Sequence, residues 1–537
     1  MSLLSNIKNF FSKGGELLGM NTGLNSIIDD PRIALTSDEV ERINVAKRYY
    51  QNDLSPYHLV NSYGGRFKAP VQPLNVSFAA SKDMASLIFN EGCAIRINND
   101  PNAQAILDAV LEYNNFSENF QRKLQRWIGL GTGVVRPTVS NNKIILSFAS
   151  AGEIYPLQAN SNDVNEIAIA FRSIKTENQE TVYYTLLEFH TWTDKGYSIT
   201  NELYRSTNEG SVGLQVPLAK LDEYADIAPT VNFPGLTQQL FAFYRNPADN
   251  NKNLTSPMGL SLIDNCRSTV DALNRANTEL SWEVKQGQRR IIVPESFLGR
   301  ENIDGIPGSH RQNRLNPKPK MYDPDTMVYQ VGYGLDDNTI KDVTSDIRVD
   351  DFDSLIQHYL SQFENQTGFS QGTFTATPSG IQTATEVVTN NSKTYQTRSS
   401  YITQVSKTLK QMVKAILAEA SIPELFDDNE PLWSGDVDDL DITIDFNDGV
   451  FINREQQKTD DLQAVTAGVM PKVQYLIRNY DLDEATAEQW VEQANEENAP
   501  TPSFDNIPTD AGDFGGDNDD QEAEASSDTA SDDEAGQ

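Results

Sequence analysis

The sequence predicts an α+β protein in which helices are mixed with antiparallel strands, and three patterns support this class. Apolar residues recur at helical spacing from Phe116 to Ile128. Between residues 182 and 190, apolar and polar side chains alternate among residues that favour strands. Over residues 402–416 the apolar positions follow a regular spacing of three and four, which indicates a long, packed helix.

The bulk composition is that of a globular protein. The chain has 537 residues, which predicts several domains, and its mean hydropathy is −0.50. No uncharged apolar run reaches the ~18–20 residues that a membrane helix needs, so we expect no membrane partner. Cys93 and Cys266 stand alone in the sequence, which predicts two buried thiols and fits assembly in a reducing cytoplasm.

The negative charge is concentrated at the C-terminus. The formal net charge is −34, and the residues after Arg478 contain 19 acidic residues and no Lys or Arg. Residues 501–537 contain little that is apolar, and we predict a disordered acidic tail there. The remaining chain is still acidic, which disfavours a nucleic-acid-binding module that grips phosphates through a basic face.

The elements follow one another in a definite order. Residues 38–130 are predicted to be mostly helical, and residues 131–245 form a β region with turns at Asn141–Asn142. Ser256 and Pro257 predict the start of a helix over 256–287 that Gly287 ends. The remaining predictions are a strand at 290–294, a proline-rich loop, a strand at 327–331, a helix at 351–366, an uncharged stretch at 365–385, a helix at about 383–420, a strand at 442–446, and helices at 454–467, 471–479 and 484–495.

The sequence contains no arrangement typical of catalysis or of a cofactor site. The glycines at 129, 131 and 133 follow a helix and precede a strand, which is the reverse of a dinucleotide-binding loop. The four histidines are far apart, and the acidic pairs lack the spacing of a calcium loop. We therefore predict no catalytic residues, no metal and no cofactor, and we interpret the protein as a non-enzyme.

One segment is basic although the chain as a whole is acidic. Residues 289–320 hold seven Lys or Arg residues and only three acidic ones. A basic segment inside an acidic protein favours a docking surface for an acidic partner or for DNA, although a solvated loop explains the composition equally well.

The order of these elements, together with several short stretches, resembles the portal proteins of tailed bacteriophages, especially siphophages of Gram-positive hosts. The stretches are EIYPL at 153–157, GTFTA at 372–376, TATEV at 383–387, DDL at 460–462 and YDLDEA at 480–485. The resemblance covers roughly residues 40–500.

The resemblance implies a portal fold with wing, stem, clip and crown regions. The implied parts are an N-terminal segment and wing at 1–255, a stem helix at 256–287, a clip at 289–349, a second stem helix at 351–366, a tunnel loop at 368–382, a long bent helix at 383–422, a wing return at 423–450, and a crown at 451–500.

Three sets of residues carry the implied function. The tunnel loop would face DNA through Phe369, Gln371, Thr373, Phe374, Thr375, Thr377, Ser379 and Gln382. The clip would dock partners through Arg300, Arg311, Arg314, Lys318 and Lys320. The stem would present Asp271, Arg275 and Glu279, beside Asn274 and Thr278, to neighbouring subunits or to the channel.

The family also implies partners and a location. They are a homo-oligomeric, dodecameric ring at one capsid vertex, the terminase large subunit, head-tail connector proteins, and the major capsid and scaffolding proteins. Double-stranded DNA would pass during packaging and ejection without sequence-specific binding. Two alternatives remain open at this stage: a minor capsid or head protein without a channel, and a metal-dependent hydrolase that uses the Asp and Glu residues.

Overall fold

The computed structural model describes residues 23–60, 64–90, 92–159, 163–287, 291–294, 329–332, 336, 341–376, 392–446, 454–480, 482 and 484–497. The α-helices are α1 Ser37–Gln51, α2 Val76–Ile88, α3 Pro101–Tyr113, α4 Phe116–Leu130, α5 Arg267–Gln286, α6 Val349–Thr367, α7 Ser392–Ala420, α8 Arg454–Thr466, α9 Lys472–Tyr480 and α10 Glu484–Glu497. The strands are β1 Gly23–Leu24, β2 Tyr57–Val60, β3 Arg66–Ala69, β4 Ala94–Ile97, β5 Thr132–Ser140, β6 Lys143–Ser150, β7 Ile154–Ala159, β8 Val164–Glu177, β9 Glu180–Thr193, β10 Gly196–Ser206, β11 Gly213–Val216, β12 Thr230–Phe233, β13 Ala242–Arg245, β14 Ile291–Pro294, β15 Tyr329–Gly332, β16 Lys341–Asp342 and β17 Ile442–Asp445.

The mixed α+β class is confirmed, and nearly all pairing between the described strands is antiparallel. The largest sheet has seven strands in the order β1-β11-β10-β9-β8-β7, with β12 paired to β10. A second sheet has the order β13-β5-β6. The exception is the small sheet β15-β14-β16, in which β14 and β15 run parallel. A long connection between β14 and β15 permits this direction, because parallel neighbours need a crossover rather than a tight turn.

Local sequence explains where the early helices begin. Asp100 precedes α3, and its side chain accepts hydrogen bonds from the backbone N–H groups of Asn102 and Ala103. Pro101 occupies the first turn, where its missing N–H costs nothing. Thr36 plays the same part for α1 by accepting the N–H of Glu39.

The main core forms where α7 crosses the second sheet. Val405, Leu409, Met412 and Ile416 are all fully buried, which confirms the predicted packed stripe. They share a core with α4, whose Trp127 ring stacks on Tyr244 of β13. Burying such large apolar side chains supplies much of the driving force for folding.

The predicted start of the helix at Ser256 is wrong, because α5 begins only at Arg267. Residues 256–266 instead form turns held by polar contacts. Ser261 donates its hydroxyl to the Gly129 carbonyl at 2.6 Å, and Asp264 accepts the N–H of Ser261 at 2.8 Å. Short polar side chains that hydrogen-bond to the nearby backbone compete with the backbone hydrogen bonds of a helix. Here the side-chain hydrogen bonds replace the helix over residues 256–266. The prediction that Gly287 ends the helix is confirmed.

The cluster of glycines has a structural explanation. Gly131 ends α4 with a φ of 95°, and a Cβ there would lie 2.4 Å from the carbonyl oxygen of Gly259. A Cβ on Gly133 would overlap the Trp127 ring at 2.0 Å. These glycines allow two backbone segments and an indole to approach closely, which accounts for the motif without a nucleotide.

The described residues fall into two compact units, those before residue 453 and those after it. In the second unit, α8, α9 and α10 confirm the three predicted C-terminal helices. Asp461 of α8 accepts a hydrogen bond from Asn479 of α9 at 2.8 Å. The predicted disordered tail at 501–537 lies outside the described residues.

A buried ionic network fixes the turn segment that leads into α5. Arg42 of α1 pairs with Glu39 at 2.6 Å and with Asp264, and all three side chains are buried. Glu39 also accepts a hydrogen bond from Asn250 at 2.9 Å, and Asp264 accepts one from Arg267 at 3.1 Å. Every carboxylate in this network is therefore paired, which buried charges require.

We expect Arg42→Ala to destabilise the first unit by about 3–5 kcal/mol, because it leaves the buried Glu39 without its cation and leaves Asp264 with Arg267 alone. The measurement is the unfolding midpoint of the purified protein. Arg48→Ala on the same helix removes an exposed pair with Glu41 and should cost less than about 1 kcal/mol. Equal effects of the two substitutions would contradict this account of the network.

Candidate functional site

The segment after α6 forms a compact turn. Gly368 ends α6 with a φ of 84°, and its N–H donates to the carbonyl of Glu364. A Cβ at Gly368 would lie 2.4 Å from the Thr397 hydroxyl oxygen, so the position requires glycine. Thr397 donates that hydroxyl to the Gly368 carbonyl at 2.8 Å. The end of α6 is thereby tied to α7.

The fully buried carboxylate of Glu364 organises the turn over residues 368–376. It accepts the backbone N–H groups of Phe374 at 2.6 Å and Thr375 at 2.9 Å, and the Thr375 hydroxyl at 3.2 Å. Hydrogen bonds to an ionised acceptor are about twice as strong as neutral ones. One carboxylate therefore holds a segment that has no charge of its own.

A second set of contacts joins the turn to the start of α7. Ser370 donates its N–H to the Thr394 hydroxyl at 2.8 Å, and Thr394 donates its N–H to the Ser370 hydroxyl at 3.1 Å. Both residues are buried. This reciprocal pair satisfies two backbone donors that would otherwise be costly to bury.

The predicted tunnel-loop residues differ in their surroundings. Phe369 is fully buried and packs edge-to-face on the half-buried Phe374 at 5.2 Å, so Phe369 supports the turn from inside and is not a surface contact. Gln371 and Thr373 are exposed. The Thr375 hydroxyl donates a hydrogen bond to the Glu364 carboxylate. The remaining predicted residues, Thr377, Ser379 and Gln382, lie outside the described residues.

Helices α5 and α6 pack as an antiparallel pair. Near the base, Thr269 donates its hydroxyl to the Gln366 side chain at 2.7 Å. At the other end, Arg348 forms two hydrogen bonds of 3.0 Å to the Glu283 carboxylate. The hydrogen bonds from Arg348 lower the pKa of Glu283. The order of these contacts fixes the two helices in opposite directions.

The prediction of an all-polar outer face on α5 is only partly right. Asp271, Arg275 and Glu279 are exposed, and Arg275 pairs with Glu279 at 2.9 Å. Asn274 and Thr278, in contrast, are buried and cannot face a neighbour or a channel.

The side chains of Asn274 and Thr278 form hydrogen bonds with the backbone of the segment before α2. Asn274 accepts the N–H of Leu74 at 3.0 Å, and Thr278 accepts the N–H of Gln72 at 2.9 Å. They satisfy the backbone of an irregular segment that packs on the helix. Exposed Asp271 accepts the Tyr49 hydroxyl at 2.5 Å, and burial together with this carboxylate raises the pKa of Tyr49.

The small sheet β15-β14-β16 stands between α5 and α6 in the chain. It confirms the predicted strand at 290–294 and, in part, the one at 327–331, whereas β16 was not predicted. The basic residues expected to dock partners lie outside the described residues: Arg300, Arg311, Arg314, Lys318 and Lys320.

Sequence reasoning missed the two residues that position this site, Glu364 and Arg348. Glu364 had one available signal, since it is the last charged residue before the uncharged stretch and follows Phe363 on a predicted helix. Arg348 gave no signal, because its partner Glu283 is 65 residues away.

Two further observations concern metal binding and membrane insertion. Within the described ranges, no three His, Cys, Asp or Glu side chains converge as metal ligands do. Each helix in those ranges is too short or too polar to cross a lipid bilayer.

Comparison with known proteins identifies the family. The family model described as "Phage portal protein, SPP1 Gp6-like" matches residues 31–500. No curated protein matches the chain. Among solved structures, the chain is similar to one titled "Virion of native gene transfer agent (GTA) particle", at 10% identity and a TM-score of 0.39, with 81% of this chain and 98% of that chain covered. The family match spans most of the sequence, and the protein therefore belongs to the SPP1 Gp6-like family of phage portal proteins, which are structural components of bacteriophages.

Proposed function

We propose that the protein is the subunit of a dodecameric ring at one capsid vertex of a virion, through which double-stranded DNA enters and leaves. The observation that carries this proposal is the uncharged turn at 368–376, held rigidly by Glu364 at the base of an antiparallel helix pair. In a ring, this turn and its continuation to residue 382 form the tunnel loop. Helices α5 and α6 form the stem.

The charge of the turn suits a moving DNA. A surface that neutralised six to ten phosphates would bind DNA with an affinity that falls by about 10³–10⁵ between 50 and 200 mM salt. Such binding would stall translocation. Residues 365–385 contain no charged side chain, and exposed Gln371 and Thr373 offer only neutral contacts. This loop therefore touches DNA without holding it.

The stem supplies surfaces for ring closure. A closed ring uses heterologous interfaces, in which one face of a subunit binds a different face of its neighbour. The exposed Asp271, Arg275 and Glu279 lie four residues apart along α5 and form a charged stripe. We assign this stripe to the contact with a neighbouring subunit.

Two further regions complete the proposal. The insert around β14, β15 and β16 is the clip, where the basic residues meet the terminase large subunit and later the head-tail connector. The pairing of β17 with β4, more than 300 residues earlier in the chain, supports the assignment of residues 423–450 as a return to the wing. The second compact unit is the crown, and the major capsid and scaffolding proteins surround the wing.

The ring is the first testable consequence. Purified protein viewed by negative-stain microscopy should form closed rings with an axial opening wide enough for DNA. A minor head protein would give no such opening. Material that stays monomeric under all conditions would exclude the proposed function.

Charge reversal on the stem tests whether the charged stripe lies in the ring interface. Arg275→Glu should reduce the fraction of rings, because it places a third negative charge beside Asp271 and Glu279. Arg122→Glu alters another exposed arginine with a glutamate partner four residues away, on α4, and should leave rings intact. Intact rings in the Arg275 variant would remove the stripe from the interface.

The anchor of the turn can be tested separately. Glu364→Gln should accelerate hydrogen exchange at the amides of Phe374 and Thr375 by at least about tenfold, because bonds to a charged acceptor contribute about 1.5–3 kcal/mol each. DNA packaged per particle should fall as the loop loses its shape. Asp353→Asn, an exposed carboxylate on the same helix, is the control and should change neither quantity. Unchanged exchange in the Glu364 variant would refute the anchoring role.

The clip prediction concerns the basic segment. Replacing Arg311, Arg314, Lys318 and Lys320 with Ser should weaken binding of the terminase large subunit or the connector, and it should flatten the salt dependence of that binding. Arg311→Lys with Arg314→Lys keeps the charge and should retain most of the affinity. Binding that is unaffected by the serine substitutions would show that the segment is a solvated loop.

A further inference from the structure

A groove runs along α1, between that helix and the start of α5. It consists of two adjoining cavities of about 540 and 280 Å³, which share the walls formed by Val45 and Arg267. The first cavity begins at Asp38 and the second extends to Asp53, so the groove follows about 20 Å of helix. Of the surfaces proposed above, the groove shares only Asp271, which belongs to the charged stripe.

The second cavity of the groove has an apolar floor. Five half-buried side chains form it: Val45, Tyr49, Leu54, Tyr57 and Val71. Each of them keeps part of its surface open to the cavity, in contrast to the closed core beneath α1. A concave strip of this kind binds apolar side chains well, because it removes them from water.

Charged residues surround the apolar floor, and the acidic ones are in excess. The lining of the two cavities contains six acidic and four basic residues. Three of the basic residues pair with carboxylates of the same lining, and Lys252 is the fourth. The exposed Asp38 and Asp53 lie near the two ends of the groove. The groove therefore favours an occupant that combines apolar side chains with positive charge.

The N-terminal segment of this chain has that combination in its sequence. Residues 1–22 precede the first described residue. Residues 1–15 contain two lysines and no acidic residue. Five apolar residues recur there at helical spacing, which predicts one apolar face: Leu3, Leu4, Ile7, Phe10 and Phe11.

The described chain begins close enough to α1 for this segment to reach the groove. Ile27 packs in the same buried cluster as Ile43 and Ala46 of α1. Residues 12–22 span up to about 36 Å when extended, whereas a helix with its side chains is about 10–12 Å across. The chain can therefore pass from β1 to the side of α1 that bears the groove.

We propose that residues 3–11 dock in the groove of their own chain, with their apolar side chains on Val45, Tyr49 and Leu54 and with Lys8 beside the acidic residues. Attachment to the same chain gives the segment a high effective concentration, which a segment from a second copy lacks. DNA or another anion would meet more carboxylates than cations. This inference does not depend on the proposed ring.

Trypsin digestion of the full-length protein tests the docking, because trypsin cleaves after Lys8 and Lys13. Both sites should be cut at least about tenfold more slowly than in a synthetic peptide of residues 1–22, since a docked segment is cut only while it is undocked. Val45→Glu should remove most of this protection, because it places a carboxylate in the apolar floor. Equal rates in the native protein and the peptide would overturn the proposal.

Two further variants separate docking from folding. Asn44→Glu adds the same charge at an exposed position of α1 outside the groove, and protection should persist. Phe10→Ser with Phe11→Ser alters the segment alone, so its effect does not depend on whether the Val45 variant folds. It should expose both lysines to trypsin. Protection that persists in this double variant would overturn the proposal.

A photo-crosslinker identifies the surface that the segment touches. Full-length protein with p-benzoylphenylalanine in place of Phe10 should, after irradiation, join the N-terminal peptide to peptides from 45–57 or 264–274. The product should run as a single chain on a denaturing gel. A cross-link to another part of the chain would refute the groove as the site. A product of two chains would make a second copy the occupant, and this too would overturn the proposal.

Discussion

The buried carboxylate of Glu364 is the contact on which the candidate site depends. The turn it holds has no charged side chain, so no ion pair can fix its shape, and its apolar contacts come from Phe369 and Phe374. Glu364 supplies the missing interaction by accepting the backbone N–H groups of Phe374 and Thr375. A neutral surface can thus be presented rigidly, because the charge that organises it is hidden beneath it.

The helix pair is held differently at its two ends. At the base, two buried carboxylates fix the chain, Asp264 where it enters α5 and Glu364 where it leaves α6. At the tip, the exposed fork between Arg348 and Glu283 joins the helices. Breaking a buried, paired charge costs several kcal/mol, whereas an exposed pair contributes about 0–1 kcal/mol. The base is therefore the more strongly held end of the helix pair.

Buried polar groups elsewhere are also matched to irregular backbone. Asn274 and Thr278 accept hydrogen bonds from the backbone of the segment before α2. Ser261 donates a hydrogen bond to the backbone at the end of α4. Each replaces a helical or sheet hydrogen bond where the chain cannot make one. Glu419 departs from this pattern, because it is buried as deeply as the others and has no partner among the described residues.

Sequence alone determined the elements whose signal is local. The apolar stripe of α7, the capped start of α3, the β region and the three C-terminal helices follow from periodicity and from neighbouring residues. The sequence also placed an uncharged segment between two helices and, with the family resemblance, pointed to a portal protein. The tertiary structure decided what depends on distant partners. It moved the start of α5 to Arg267, turned Asn274 and Thr278 inwards, paired β4 with β17 and set Glu364 beneath the turn. The reason is physical: a hydrogen bond or ion pair between residues far apart in the chain leaves no periodic trace in either segment.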